Sequence, residues 1–403
     1  MRTQKPNSPR GTRTLLLVLP LMLLLGACAA DTDELQEPAQ AADEEEPSDE
    51  PEAGEGPAEL PDDPIVVNVA MTPFYDYQFF AVAEELGWDE ELGLDLQFEW
   101  FAQSGPSIQA LSRGDVDTVN TCVVCNYPFY DSVPELRNFL TVNQFKGFSI
   151  IGRTDTSRTY DEFLDELGDP EAAQQATIEQ MDGATIPMYE ANYVSLLSAT
   201  LEQGDLTTDA VEIVNFAEDD RAAVAFLGGT GDFYMGGLPS QVNILLEHSD
   251  DYHVVGGAEV LGPAGLWYSQ VAASDDWLEA NEEAALRIMA MSYRFNRYVQ
   301  EQPDTVFPIV ADSMRDHGGP DTTPDELALV FDQFLEFRSY QDEQDTTYNA
   351  DSDLYWRHSA EYYVEQSDEL PDDADYERQN PLEPWFELFL TRSDLLEWVD
   401  APL

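Results

Sequence analysis

Residues 111–127, LSRGDVDTVNTCVVCNY, carry the pattern around which the chain is organised. A helical apolar pattern ends at Gly114, an aspartate follows, and a short apolar run reaches a turn. The same design returns at residues 226–239, FLGGTGDFYMGGLP. Each stretch predicts a helix, a tight turn and a buried strand with an exposed carboxyl end. Because open parallel sheets bind ligands at that end, two copies predict two similar lobes that face each other across a cleft.

The composition is that of a folded protein with an extreme charge. With 403 residues, 43% of them hydrophobic and 11% aromatic, the chain can form two domains with real cores. Its 81 acidic and 18 basic residues give a formal net charge of −63, which argues against nucleic acid and anionic lipid headgroups as partners. We interpret this acidic, lysine-poor composition as halophilic, because concentrated salt screens the repulsion. An acidic protein from an ordinary habitat is the alternative.

The first 63 residues predict an export signal and a tether. Residues 1–27 combine a basic start with an apolar run too short to span a membrane comfortably, as in a signal peptide. Residues 25–28, LGAC, resemble a bacterial lipobox, so we expect lipidation of Cys28 and anchoring at the extracytoplasmic face of the cell membrane. An ordinary secretory signal is the alternative. Residues 28–63 are acidic and predict a disordered tether that gives reach, or else a merely tolerated tail.

Strand and helix patterns alternate from residue 65 onward and predict an α/β fold. The first lobe is predicted to contain strands at 65–70, 94–100 and 118–124 and helices at 76–86 and 107–112. A strand at 145–152 leaves this lobe, and residues 154–180 form a polar excursion with one helix at 160–167. The second lobe is predicted to contain strands at 184–187, 211–214, 232–235 and 253–256 and helices at 193–201 and 220–226. A strand at 266–273 returns to the first lobe, and helices at 282–300 and 324–337 follow.

These elements predict six segments along the chain. They are the signal peptide (1–27), the tether (28–63), the first part of lobe 1 (64–152), lobe 2 (153–254), the return part of lobe 1 (255–340) and a C-terminal extension that packs on lobe 1 (341–403).

Several stretches between residues 65 and 340 resemble, in order and spacing, the extracytoplasmic substrate-binding proteins of ABC importers. The resemblance is to the branch of type II periplasmic binding proteins that includes sulfonate, taurine, nitrate and thiamine-precursor binders. The matching stretches are AVAEELGW, LGLDLQFEW, SGPSIQALSRGDVDTV, DGATIPMYEANYVSLLSATLEQGDL, FLGGTGDFYMGGLP and ALRIMAMSYRFNRYVQEQPD. The resemblance implies two lobes with parallel-rich sheets, joined by two crossover strands and closing on a small solute by hinge motion. It also implies a monomer that docks on a permease whose cytoplasmic ATPase drives uptake.

Carried onto this sequence, the resemblance places the ligand at the turns that follow the strands. The candidate ligand-binding residues are Thr72, Phe74, Tyr75, Gln103, Ser104, Gly105, Cys122, Asn126, Tyr127, Tyr189, Glu190, Asn192, Tyr193, Asp219, Gly236 and Gly237. Free backbone amides at the helix starts can hold polar or anionic ligand atoms. An ordinary turn or helix cap is the alternative for each of these positions.

The predicted turns contain no lysine or arginine, and the nearest ones, Arg113 and Arg221, fall within helices. The turns hold tyrosines, Phe74 and the acid Glu190 instead. Aromatic faces with a carboxylate favour a flat nitrogen heterocycle, such as a pyrimidine, or an amine. Packing between the lobes is the alternative role for the aromatic residues, and a sulfonate, taurine or nitrate is the less favoured solute.

Three interpretations of Cys122 and Cys125 are open: a disulfide, two buried thiols or half of a metal site. No second cysteine pair exists and the four histidines are scattered, so no metal is expected. Fungal relatives of this branch that make the thiamine pyrimidine carry a cysteine-rich loop with a catalytic histidine, a pattern absent here. No GxSxG, HExxH or P-loop motif occurs either. We therefore expect neither an enzyme nor a cofactor; a lipoprotein that senses a ligand and signals to a membrane receptor is the alternative function.

Overall fold

The computed structural model describes residues 60, 63–126, 129–319, 321–352, 354–366 and 376–402. The predicted signal peptide, Cys28, nearly all of the tether and Tyr127 lie outside the described residues, as does the side chain of Asn192. Within the described helices, none is both long and apolar enough to cross a membrane.

Eleven strands are present in the described part of the chain. They are β1 (Ile65–Met71), β2 (Leu94–Trp100), β3 (Thr118–Cys122), β4 (Leu136–Phe145), β5 (Ile150–Arg153), β6 (Thr185–Met188), β7 (Glu212–Asn215), β8 (Phe233–Tyr234), β9 (Tyr252–Gly256), β10 (Trp267–Ser274) and β11 (Leu335–Glu336).

Helices connect and cover these strands. The first ten are α1 (Phe79–Glu85), α2 (Trp88–Glu91), α3 (Ser104–Arg113), α4 (Val123–Asn126), α5 (Tyr160–Leu167), α6 (Pro170–Glu179), α7 (Glu190–Glu202), α8 (Asp219–Leu227), α9 (Leu238–Glu247) and α10 (Ala258–Leu261). The later ones are α11 (Asp275–Ala280), α12 (Glu282–Glu301), α13 (Pro303–Asp316), α14 (Pro324–Phe334), α15 (Tyr340–Asp345), α16 (Trp356–Gln366), α17 (Tyr376–Gln379), α18 (Leu382–Leu390) and α19 (Ser393–Asp400). Short 3-10 helices occur at Tyr75–Tyr77, Thr208–Ala210 and Gly262–Gly265.

A six-stranded sheet has the order β11-β4-β10-β3-β1-β2. Strand β1 runs parallel to β2 and β3, which confirms the predicted βαβαβ unit. Strand β10 is antiparallel to β3 and β4, so the strand expected to return to the first sheet is also confirmed. Within this six-stranded sheet the β2-β1-β3 side is parallel, whereas β10, β4 and β11 all pair antiparallel.

Residues 150–256 contain two smaller sheets, an antiparallel β8-β5-β9 and a parallel β6-β7. Strands β6 to β9 lie within two residues of their predicted positions. Helix α5 has its predicted bounds, whereas helix α6 of the expected polar excursion was not predicted. Its start carries ordinary signals, because Asp169 caps it and Pro170 occupies the first turn.

The repeated stretch has the same structural role in both copies. The Asp117 amide donates to the Asn68 carbonyl of β1 at 2.7 Å, and an Asp117 carboxylate oxygen accepts from the Asn68 amide at 2.8 Å. In the second copy Asp232 makes the equivalent pair of bonds with Thr185 of β6, at 2.7 and 2.8 Å. Each aspartate therefore fixes a new strand beside the first strand of its own unit.

The C-terminal segment packs against both parts of the fold. Helix α18 lies on β4 and helix α19 lies on α12. Helix α16 reaches α7 instead, where the Tyr362 hydroxyl donates to the Ala199 carbonyl at 2.8 Å. The extension was expected on lobe 1 alone, so its contact with α7 is a difference. The exact domain boundaries remain a prediction.

Candidate functional site

Asp76 lies in the turn after β1, at the carboxyl end of the parallel strands. The Ser269 hydroxyl of β10 donates to an Asp76 carboxylate oxygen at 2.6 Å, and the Asn143 side-chain amide donates to the Asp76 carbonyl at 2.8 Å. Burial raises the pKa of Asp76 to about 6, and the Ser269 hydrogen bond opposes that rise. Asp76 can therefore change its charge close to neutral pH.

Tyr77 and Asn120 adjoin Asp76 on the same face of the large sheet. Tyr77 is 4% exposed, and burial followed by the nearby Asp76 charge raises its pKa well above the usual range. The Asn120 side-chain amide donates to the Tyr77 carbonyl at 3.4 Å. Asn120 pairs with Val271, two residues from Ser269, so its side chain shares the face of Ser269. Asp76, Tyr77, Asn120 and Ser269 therefore form a cluster of polar groups at this end of the sheet.

Asp219 is the counterpart in the second half of the fold, at the start of α8. Its carboxylate accepts the Tyr234 hydroxyl at 2.8 Å and the Gly237 amide at 3.1 Å. Burial raises the pKa of Asp219, while hydrogen bonds from Ser240 and Tyr234 oppose the rise. The strands β7 and β8 end here, so this carboxylate also stands at strand carboxyl ends.

Gly236 and Gly237 allow the close approach of these side chains. A Cβ at position 236 would lie 2.1 Å from the Tyr234 hydroxyl oxygen and 2.4 Å from an Asp219 carboxylate oxygen. A Cβ at position 237 would lie 2.6 Å from the Tyr193 hydroxyl oxygen. All three distances are shorter than a Cβ contact allows, so any other residue at either position would displace the Tyr234, Asp219 or Tyr193 side chain.

Tyr193 on α7 connects the two groups of residues. Its proximity contributes to the raised pKa of Tyr77 on one side and of Tyr234 on the other. Its ring also contacts Phe148 with a centroid distance of 6.1 Å, and Phe148 contacts Trp267 at 4.4 Å. We call Asp76, Tyr77, Tyr193, Asp219, Tyr234 and Ser269 the two-aspartate site.

The structure brings only part of the predicted site together. Tyr193 and Asp219 belong to the two-aspartate site, and Gly236 and Gly237 lie against its side chains. Thr72 and Phe74 are in the turn beside Asp76, where both carbonyls accept from the Gln78 side-chain amide.

A second group of candidates makes contacts of its own. Tyr189 packs against the core, and the Glu190 amide donates to Asn215 at 3.3 Å. At the start of α3, Gln103 is exposed, Ser104 is half-buried, and a Cβ at Gly105 would lie 3.3 Å from Phe129. The Tyr193 amide donates to the Tyr189 carbonyl at 3.2 Å, so Tyr189 stands at the start of the helix that carries Tyr193.

Three other candidates have side chains in the protein interior. The Tyr75 hydroxyl, on a residue 1% exposed, shares a hydrogen bond of 2.7 Å with the Thr322 hydroxyl. Asn126 is fully buried, accepts from Thr121 at 2.6 Å and donates to Asn138 at 2.7 Å. Cys122 is bonded to Cys125 in a disulfide, which selects one of the three alternatives left open by the sequence. The strand predicted to reach residue 124 ends at Cys122. Helix α4 follows it directly and contains Cys125, the other half of the disulfide.

Asp76, Tyr77, Tyr234 and Ser269 were missed by the sequence analysis. Asp76 fell at the start of a predicted helix, and the structure has a 3-10 turn there, with α1 beginning at Phe79. Ser269 becomes a partner of Asp76 only through the antiparallel pairing of β10, nearly two hundred residues later. The sequence signal that could have identified Asp76 is an acidic residue directly after a buried strand and its turn.

Replacing Tyr75 with phenylalanine tests its interior position. The change removes the hydrogen bond to Thr322, so we expect the free energy of unfolding to fall by about 1 kcal/mol. Urea denaturation measures this loss. An unchanged free energy of unfolding would contradict the buried hydrogen bond.

Among the residues that the structure describes, no group of three or more histidine, cysteine, aspartate or glutamate side chains could hold a metal ion.

Comparison with known proteins gives a similarity of fold. No protein-family model matches the sequence, and no curated protein gives a significant match. The periplasmic aliphatic sulphonate binding protein SsuA from Escherichia coli is similar, with a TM-score of 0.58 and 14% identity over 78% of this chain and 92% of that chain. The periplasmic nitrate-binding protein NrtA from Synechocystis PCC 6803 is also similar, with a TM-score of 0.53 and 12% identity over 85% of this chain and 89% of that chain.

The desulfurization enzyme DSZB is also similar, with a TM-score of 0.54 and 14% identity over 82% of this chain and 99% of that chain. Identities this low indicate a shared fold and not a shared activity. The chain therefore has the two-lobed α/β fold of periplasmic binding proteins, as predicted.

Proposed function

We propose that this protein is the extracytoplasmic solute-binding component of an ABC importer. It captures a small organic solute between its lobes and delivers the solute to a permease with a cytoplasmic ATPase. The observation that carries this proposal is the two-aspartate site, where strand ends from both halves of the fold supply side chains around Tyr193. A solute that contacts both halves binds the closed form more tightly, which is the requirement for a capture step.

The solute contains nitrogen or sulfur, with a pyrimidine-like heterocycle or an amine favoured. Aromatic side chains surround the site, and neither aspartate is part of an ion pair formed among the described residues. The sulphonate and nitrate binders of the same fold make those anions the alternative solutes. An anion would be bound mainly by backbone amides, because carboxylates repel it.

The proposal includes the location of the protein. A lipid at Cys28 anchors it to the extracytoplasmic face of the membrane, and residues 28–63 provide reach toward the permease. The monomer works in concentrated salt, which the net charge of −63 favours. The predicted boundaries, with lobe 2 at 153–254 between two parts of lobe 1, belong to the same proposal.

A thermal-shift screen of the purified protein in molar KCl tests the proposed function. The panel contains aminopyrimidines, amines, taurine, alkanesulfonates and nitrate. A solute at about 100 times its dissociation constant contributes about 2.7 kcal/mol, which raises the unfolding midpoint by several degrees. Mass spectrometry of the recovered solute is the control, because an unchanged compound supports a binding protein. Conversion of the compound would indicate an enzyme instead, a case that the similarity to DSZB makes worth measuring.

A further inference from the structure

We propose that the two-aspartate site takes an organic cation that carries N–H donors, such as a protonated amine, amidine or guanidinium group. This inference rests on the proposed function and specifies the class of solute. It departs from the sulphonate and nitrate named for proteins of the same fold.

The charge of the site is the first argument. Asp76 and Asp219 are half-buried carboxylates, and neither takes part in an ion pair among the described residues. The nearest arginine in sequence, Arg221, is exposed and pairs with Glu218 at 2.8 Å. Carboxylates removed from water are costly unless a positive charge compensates them. A cationic solute in contact with either carboxylate would supply that charge.

The polarity of the free hydrogen-bonding atoms is the second, independent argument. Asn120 and Asn143 are fully buried, and their side-chain nitrogens donate to the backbone carbonyls of Tyr77 and Asp76. Those carbonyls fix the orientation of both amides, because a carbonyl accepts only from the nitrogen. The two side-chain oxygens are then left buried, without a partner among the described residues. Unpaired acceptors call for a solute with donors, and an anion has none to offer.

The aromatic surroundings are the third argument. Tyr193, Phe148 and Trp267 form a continuous series of ring contacts. The series begins beside Asp219, because a Cβ at Gly237 would lie 2.6 Å from the Tyr193 hydroxyl oxygen and 3.2 Å from an Asp219 carboxylate oxygen. The negative face of an aromatic ring attracts a cation, most strongly where water is excluded. Quaternary ammonium ions would use the rings alone, whereas N–H donors also satisfy the asparagine oxygens. The free acceptors therefore favour primary and secondary amines and guanidinium groups over quaternary ones.

Isothermal titration of the full chain and three variants tests this inference. Asp76→Asn and Asp219→Asn each remove one charge of the site, and Asp220→Asn is the matched control. Asp220 neighbours Asp219 on the same helix and is exposed, so its substitution changes the net charge equally. The titrants are putrescine, guanidinium chloride, 4-aminopyrimidine, choline and taurine. Thermal unfolding of each variant shows whether it is folded.

We expect at least one N–H cation to bind the unmodified protein more tightly than choline and taurine. Asp76→Asn and Asp219→Asn should each weaken that binding by about 30-fold or more, and Asp220→Asn by less than about twofold. Tight binding of taurine or choline that Asp76→Asn leaves unchanged would overturn the inference while supporting a solute-binding function. Absence of binding by the whole panel would count against both. If Asp219→Asn fails to fold, Asp76→Asn decides the result.

Discussion

Replacing Trp398 with alanine is expected to lower the free energy of unfolding by about 4 kcal/mol. Trp398 is 2% exposed and lies on the last helix, α19. Its ring packs edge-on against Trp88 with a centroid distance of 6.2 Å. The guanidinium carbon of Arg294 lies 4.6 Å from the centroid of the Trp398 ring. Its indole nitrogen also donates to Glu91 at 3.0 Å. Truncation would leave a cavity and remove these contacts, so the C-terminal segment should be integral to the fold.

Urea denaturation at constant KCl concentration measures this effect. Trp398→Phe is the conservative variant, because it keeps most of the ring packing and loses the bond to Glu91, at a cost of about 1 to 2 kcal/mol. Trp100→Ala is the half-buried control, because Trp100 lies at the edge of the core and its ring stacks on the exposed His317 at 3.7 Å. We expect a smaller loss of about 1 to 2 kcal/mol. Equal losses for Trp398→Ala and Trp100→Ala would contradict the packing of α19 on the core.

The repeated unit could be predicted from the sequence because its determinants are local. Gly114 and Gly231 take the left-handed conformation, with φ of 73° and 82°, so a glycine marks each turn. Asp117 and Asp232 follow them and hold the new strand to its neighbour. An apolar run then follows each turn. Glycine, aspartate and apolar run all lie within a few residues, which is the range over which a sequence pattern carries information.

Strand β4 could not be predicted because its side chains are satisfied by distant parts of the chain. All ten residues are buried, including Asn138, Asn143 and Gln144, so no alternation of polar and apolar residues is visible. Asn138 donates to Asn380 at 2.6 Å, and a buried arginine, Arg338, donates to Gln144. Burial of polar residues is stable only with such partners, and these lie about two hundred residues away in sequence.

The same limit applies to the site. Asp219, Gly236, Gly237 and Tyr193 follow strands of one lobe and were within reach of a turn-based prediction. Asp76 needed Ser269, which joins it only through the pairing of β10 with β4. A prediction from turns therefore finds residues that directly follow a strand more readily than partners that strand pairing brings in from distant parts of the chain.

Binding of an N–H cation is expected to weaken as the pH falls through the pKa of Asp76. Burial raises that pKa to about 6, so the carboxylate is charged at roughly pH 8 and mostly protonated at roughly pH 5. Over that interval we expect about a tenfold loss of affinity through Asp76. Burial raises the pKa of Asp219 as well, so its protonation acts in the same direction. The groups around Asp76 are Tyr77, Ser269 and Asn143, which keep one charge state throughout.

The solute-free protein should show the opposite dependence. A carboxyl group whose pKa is higher in the folded than in the unfolded state stabilises the fold below the unfolded pKa of 3.8, and this contribution is lost as the pH rises through about 6. The difference in unfolding midpoint between the unmodified protein and Asp76→Asn isolates this contribution, because the buried Glu343, with a pKa raised to about 7, is common to both. Titration of the favoured amine against both proteins from roughly pH 5 to pH 8 completes the measurement. If affinity varies with pH equally in the two proteins, Asp76 does not carry the charge that binds the solute.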